Sequence, residues 1–170
     1  MENSSETSVA RDYFLKPGYI YLPEKPTVIS TVLGSSVSVS LYDKKRKTGG
    51  MNHFLFPVAQ SRESTTAIYG NIAVITLVRM MVQNGSDPSD LEAQIFGGAN
   101  NTDVCTHDVG KQNYHIAKDI LRQKNIRIIS EDIGGELGRK IVFNTLTCEI
   151  LTLKVERLRE SDWYPYQGDR

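Results

Sequence analysis

The sequence predicts an α+β fold: mixed β-sheets packed as a layered core, with helices outside. Three observations carry that reading. Segments with β character outnumber helical ones. Several of them follow one another directly instead of alternating with helices. Glycine pairs recur at their ends, at 49–50, 97–98 and 134–135, with a Leu-Gly step at 33–34, where backbone must approach backbone or a ligand.

Taken in order, residues 1–15 are polar and aperiodic and read as a flexible tail. "GYIYL" and "PTVIST" read as short strands separated by the Pro-flanked turn "PEKP". In the next strand Val37, Val39 and Leu41 alternate with Ser36, Ser38 and Ser40, giving one apolar face and one small, polar face. "DKKRKTGG" is a charged turn, and "MNHFLFP" is the partner strand, stopped by Pro57. A helix follows, with Ile68, Ile72, Ile75, Val78 or Arg79, and Val82 at three- to four-residue steps and Gly85 as its stop. "DPSD" is a loop, and "LEAQIFGGA" a strand running into a glycine pair. Asp108 is the candidate N-cap of a second helix whose buried stripe is Ile116, Ile120 and Leu121. "IRIISEDIGG", "RKIVFNT" and "CEILTLKVERL" are three further β segments, the last two forming a hairpin at "NTLT". The domain is expected over 16–156, with 157–170 a C-terminal tail that is either loose or docked through Trp163.

Composition narrows the function. The 170 residues are most economically one domain and hold 20 basic and 20 acidic side chains, so no net charge points to nucleic acid or an anionic membrane. No stretch is long enough to insert in a bilayer, and the N-terminus has no apolar signal region, so a cytoplasmic protein is expected. Two cysteines, Cys105 and Cys148, make neither a disulfide framework nor a zinc pattern. Cys105, His107 and His115 match no standard metal-ligand spacing. No cofactor is expected, since neither G-x-G-x-x-G nor a Walker sequence is present.

One pair of residues carries chemistry. Ser36 opens a strand beside the turn at Gly34, and His53 lies on the neighbouring strand. A hydroxyl attacks a carbonyl carbon only when a base removes its proton, and histidine is tuned for that near neutral pH. The competing reading is an ordinary half-buried histidine beside serines on a solvated face. "GSSVS" is not the G-x-S-x-G elbow, since its fifth residue is Ser38 and no helix follows. Glycine-rich turns such as "IFGGAN" offer backbone N–H groups to an oxyanion, or are simply tight corners.

The blocks "TVLGSSVSVSLYD", "GGMNHFLFP", "IFGGA", "DVGKQN" and "EDIGGELGRKIVFN" occur in an order and spacing that resemble the chemoreceptor glutamine deamidase family, CheD, from about Gly18 to Val155. The resemblance implies a fold shared with toxin-type cysteine deamidases. It also implies hydrolysis of glutamine side-chain amides on the cytoplasmic helices of methyl-accepting chemotaxis receptors, and a CheC-type phosphatase as partner. His53 matches the family's catalytic histidine. The family's nucleophilic cysteine falls at Ser36, and its orienting hydroxyl at Ser30 or Thr31. Gly34, Ser35, Gly97 and Gly98 are weaker candidates for the substrate pocket and oxyanion site. Serine at 36 adds a second reading: an adaptor that binds receptors or the phosphatase with impaired catalysis.

Overall fold

The computed structural model describes residues 10–63, 65–100 and 107–163. Its strands are β1 (Arg11–Phe14), β2 (Ile20–Tyr21), β3 (Thr27–Leu33), β4 (Val37–Asp43), β5 (Thr48–Asn52), β6 (Leu91–Gly97), β7 (Arg127–Ile133), β8 (Gly138–Asn144) and β9 (Ile150–Val155). Its helices are α1 (Gly70–Gln83), α2 (Val109–Gln123) and the short α3 (Glu160–Trp163). The strands form an outer sheet ordered β1-β3-β8-β9 and an inner sheet ordered β2-β5-β4-β6-β7. Both sheets mix parallel and antiparallel pairs, since β1 runs parallel to β3 and β6 to β7. The architecture is α+β, as the sequence predicts.

Alternation explains the layering. Val37, Val39 and Leu41 pack with Ala73, Val74, Leu77, Ala117 and Leu121 of the two helices. On the other face Tyr42, Met51 and Phe96 meet Ile29, Leu33, Ile141 and Phe143 of the outer sheet. The inner sheet is therefore covered twice, and all seven residues of β4 are buried. The serines of β4 do not face solvent. They face the outer sheet, and Ser38 Oγ donates to the carbonyl of Asn52 at 2.5 Å.

Several expectations shift. Residues 11–14 are a strand paired with β3, and Leu15 is fully buried. The tail expected over 1–15 thus loses its last five residues to the outer sheet, while residues 1–9 lie outside the described residues. The glycines at 49 and 50 belong to β5 and not to the turn, opposite Tyr42 and Leu41. A Cβ on Gly49 would stand 2.9 Å from the Phe143 ring, so glycine is what lets the sheets close. In α1 the buried face is Gly70, Ala73, Val74, Leu77, Val78 and Met81, while Val82 is exposed. The helix is rotated from the stripe expected, because its sequence is apolar on nearly every side. Gly85, in the left-handed region at φ 99°, does end it. Asp108 caps α2, accepting from Lys111 N–H at 2.9 Å. At the C-terminus Leu158 and Trp163 pack on Gly34, with Leu158 Cδ1 3.4 Å and Trp163 Cζ2 3.8 Å from where a Cβ would sit. The part of the expected tail that is described is therefore docked, because it has apolar side chains to bury.

Candidate active site

Between β3 and β4 the chain leaves the outer sheet and enters the inner one, turning through Gly34 and Ser35. Ser36 sits at the exit of that turn. The chain after β5 runs antiparallel to it, with Val37 N–H donating to Phe54 O at 3.1 Å and Phe54 N–H to Val37 O at 3.0 Å. Those two bonds carry His53 to the start of β4. Its own backbone is held by Tyr19 O, which accepts from His53 N–H at 3.0 Å, and by Gly18 N–H, which donates to His53 O at 2.8 Å.

The imidazole spans the space between the sheets. His53 Nε2 lies 2.9 Å from Ser36 Oγ, and Nδ1 lies 2.8 Å from Thr31 Oγ1. Thr31 Oγ1 in turn donates to the carbonyl of Leu15 at 2.8 Å. Chemistry fixes the direction of the chain. A carbonyl only accepts, so the Thr31 proton is spent on Leu15 O, and Thr31 Oγ1 must accept from Nδ1–H. Nε2 then carries the lone pair and accepts from the Ser36 hydroxyl. This is the tautomer a general base needs.

Burial sets the charge. His53 is fully buried, and desolvation lowers its pKa from 6.5 to about 3, opposed in part by the nearby Leu15 backbone carbonyl. The ring is neutral at pH 7. The group at Nδ1 is the Thr31 hydroxyl, so an imidazolium formed during reaction has no carboxylate there to stabilise it.

The open alternatives resolve. Thr31, paired with Ile141, faces inward and meets the imidazole. Ser30, paired with Val142, points to the opposite face of the outer sheet and is not part of the site. Gly34 and Ser35 border a cleft of about 1070 Å³, together with Leu55, Ala99, Leu158 and Trp163. Ser36 follows Ser35 in the chain, is 4 % exposed and is not among the described residues that line the cleft. Gly98 is not a free oxyanion donor, because its N–H is committed to Ser36 O at 2.9 Å. Gly97, at φ 105°, serves packing: a Cβ there would stand 2.3 Å from Ser36 O. His107 borders the cleft, and Cys105, considered with it and His115 as a metal ligand, lies outside the described residues.

Two participants escaped the sequence reading. Leu15 acts through its backbone, which no side-chain pattern reports. Asn113, fully buried on α2, donates to Ser35 O at 3.0 Å and Leu55 O at 2.9 Å. A buried asparagine in an apolar helical stripe was the available signal.

A family model described as CheD chemotactic sensory transduction matches residues 55–154, more than half of the chain. A relative from Trichlorobacter lovleyi, named "Probable chemoreceptor glutamine deamidase CheD", is 36% identical over 88% of this chain and 94% of its own. One with the same name from Sulfurimonas denitrificans is 35% identical over 85% of this chain and 94% of its own. A third, from Anaeromyxobacter dehalogenans, is 38% identical over 77% of each. A span of 88% cannot avoid residues 36 and 53. The ordered glycine blocks, the two-sheet core and these matches agree, and the chain belongs to the CheD family.

Proposed function

We propose that this chain is a protein-glutamine glutaminase acting on chemoreceptor cytoplasmic helices, with Ser36 as nucleophile, His53 as base and acid, and Thr31 as the group that holds the imidazole. The observation that carries it is the one-way hydrogen-bond chain from Ser36 through His53 and Thr31 to Leu15 O. Relatives named for chemoreceptor glutamine deamidation supply the substrate class. The domain bounds expected at 16–156 are widened in this proposal to 11–163, since Leu15, just after β1, supplies the relay's end and Leu158 and Trp163 wall the cleft.

Ser36 Oγ attacks the glutamine Cδ as its proton passes to His53 Nε2, and the carbonyl electron pair moves onto oxygen. The tetrahedral adduct collapses, the C–N bond breaks, and Nε2–H protonates the departing ammonia. Water, deprotonated by the same nitrogen, then cleaves the ester to glutamate and restores Ser36. The sum is glutamine plus water giving glutamate plus ammonia.

Serine makes the first step slow. A neutral, buried imidazole without a carboxylate is a weak base for a hydroxyl, whereas a thiol ionises near pH 8.5 in water. Purified chain and its Ser36→Cys variant, incubated with a receptor cytoplasmic fragment, decide the matter by ammonia release and peptide mass. Ser36→Cys is expected to exceed the parent by on the order of 10²- to 10⁴-fold. No conversion by either protein would remove the enzyme reading.

The same proposal places the chain in the cytoplasm, among the receptors' inner helices, with a CheC-type phosphatase as binding partner. Family membership supports both, and among the described residues no helix is long and apolar enough to cross a membrane. Co-purification of this chain with a CheC-type phosphatase tests the partner, and absence of binding by the intact protein refutes it.

A further inference from the structure

We propose that Asn113 is a positioning residue that fixes the Ser35–Ser36 peptide so that the Ser36 backbone N–H serves as the oxyanion donor. This rests on the glutaminase reading above and names a part of its machinery that the relay does not contain.

Both hydrogens of the Asn113 amide are used on the active-site framework. One goes to Ser35 O at 3.0 Å, the carbonyl of the peptide immediately before Ser36. The other goes to Leu55 O at 2.9 Å, two residues beyond His53. One nitrogen on α2 therefore ties the turn bearing residue 36 to the segment bearing residue 53. In a trans peptide the N–H points opposite to the C=O. Holding Ser35 O toward α2 thus turns Ser36 N–H away from the helix, and a donor on the carbonyl polarises that N–H.

A second observation is that this N–H has no acceptor among the described residues. Ser36 O accepts from Gly98 N–H at 2.9 Å, but the reciprocal bond of a regular antiparallel pair is not made. Gly98 sits in the left-handed region at φ 65°, and its carbonyl oxygen is turned to α2, 2.4 Å from where a Cβ of Gly110 would stand. Among the described residues neither Ser35 N–H nor Ser36 N–H donates to any acceptor. An amide on the nucleophile's own residue, unpaired among the described residues and joined to the cleft-lining Ser35, is the donor available to the charge that develops during attack.

The choice of asparagine follows. Its Oδ1 is buried without a partner among the described residues, so the side chain is held by its donors alone. A flipped amide would set oxygen against two carbonyls. A carboxylate would do the same, and only its protonated form could donate, to one carbonyl and not both.

The test has two arms. In the native chain, two-dimensional ¹H–¹⁵N spectra follow the Ser36 amide, whose nitrogen senses the hydrogen bond on the preceding carbonyl. Asn113→Ala and Asn113→Asp are expected to move it, while Leu77→Ala, a destabilising change in α1, leaves it in place. In the Ser36→Cys background, Asn113→Ala is expected to lower kcat about 10- to 100-fold with KM little changed, because the contact acts in the transition state. Asn113→Asp is expected to regain part of that loss as pH falls and its carboxyl protonates. Leu77→Ala, matched for lost melting temperature, keeps its kcat. An unmoved Ser36 amide in a folded Asn113→Ala protein overturns the proposal, as does a kcat loss no greater than that of Leu77→Ala. If Ser36→Cys has no activity, the glutaminase reading falls and the spectra alone decide the position of the peptide.

Discussion

Along β4 every residue is buried, whereas on β9 Leu151 and Leu153 stand 56% and 49% exposed. The two sheets meet at one core, but the inner sheet is covered by two long helices on its other face, whereas the outer sheet is covered there only over β3, by the segment running into α3, and β9 is left open. The site is divided along the same line. The inner-sheet side contributes Ser36 and His53, the groups that exchange a proton. The outer sheet contributes Thr31 and, at the end of β1, the Leu15 carbonyl, which only orient. Reacting groups therefore sit where neighbours on both sides fix them, and the orienting groups come from a layer with one partly open face. This division allows the chemistry to be dry without burying the whole molecule.

The largest effect is expected at His53. In the Ser36→Cys background, His53→Ala is expected to cut kcat about 10²- to 10⁴-fold by ammonia release, with the fold retained by circular dichroism. Next is acid stability. With the folded pKa at about 3 and the unfolded value at 6.5, the unfolded chain takes up a proton that the folded one refuses. Stability is then full above pH 6.5 and falls as pH drops toward 3, by up to about 1.4 kcal/mol per pH unit. Denaturant titration across that window should show the slope, and His53→Gln should flatten it. In the inner sheet, Leu41→Ala is expected to cost about 2–5 kcal/mol, read from urea midpoints.

The outer sheet should respond less. Thr31→Val strands the Nδ1–H and the Leu15 carbonyl, a loss of about 1–3 kcal/mol, seen as a fall in kcat in the Ser36→Cys background. Leu153→Thr, on the free face, should change stability by about 0.5 kcal/mol or less. If Leu153→Thr cost as much as Leu41→Ala, the distinction between covered and free faces would be wrong.

Much of this could be read in the sequence, and the misses have physical causes. The cap at Asp108, the stop at Gly85 and the strand ending in Gly97 are local backbone chemistry, which few residues suffice to specify. The pairing of Ser36 with His53 was visible because two adjacent strands leave few ways to arrange them. Ser30 and Thr31 could not be separated in the same way. In "TVISTVL" Val28 and Val32 flank one parity and Ile29 and Leu33 the other, so alternation does not say which side faces inward. The outer sheet's packing against Phe143 and Met51 decides it. The phase of α1 was hidden by the same abundance of apolar residues. β1 was missed because four residues reading "RDYF" show no alternation, and they form a strand only where β3 offers an edge.

The last acceptor in the histidine's chain is main chain and not a side chain. Replacing Leu15 by another residue leaves that oxygen in place, so a survey of single substitutions would report the lost packing of its buried side chain and not the acceptor. Proteolysis or a shortened start that removes the chain through residue 15 would delete it, together with the strand that presents it. What this stretch must supply to the site is thus length and not spelling.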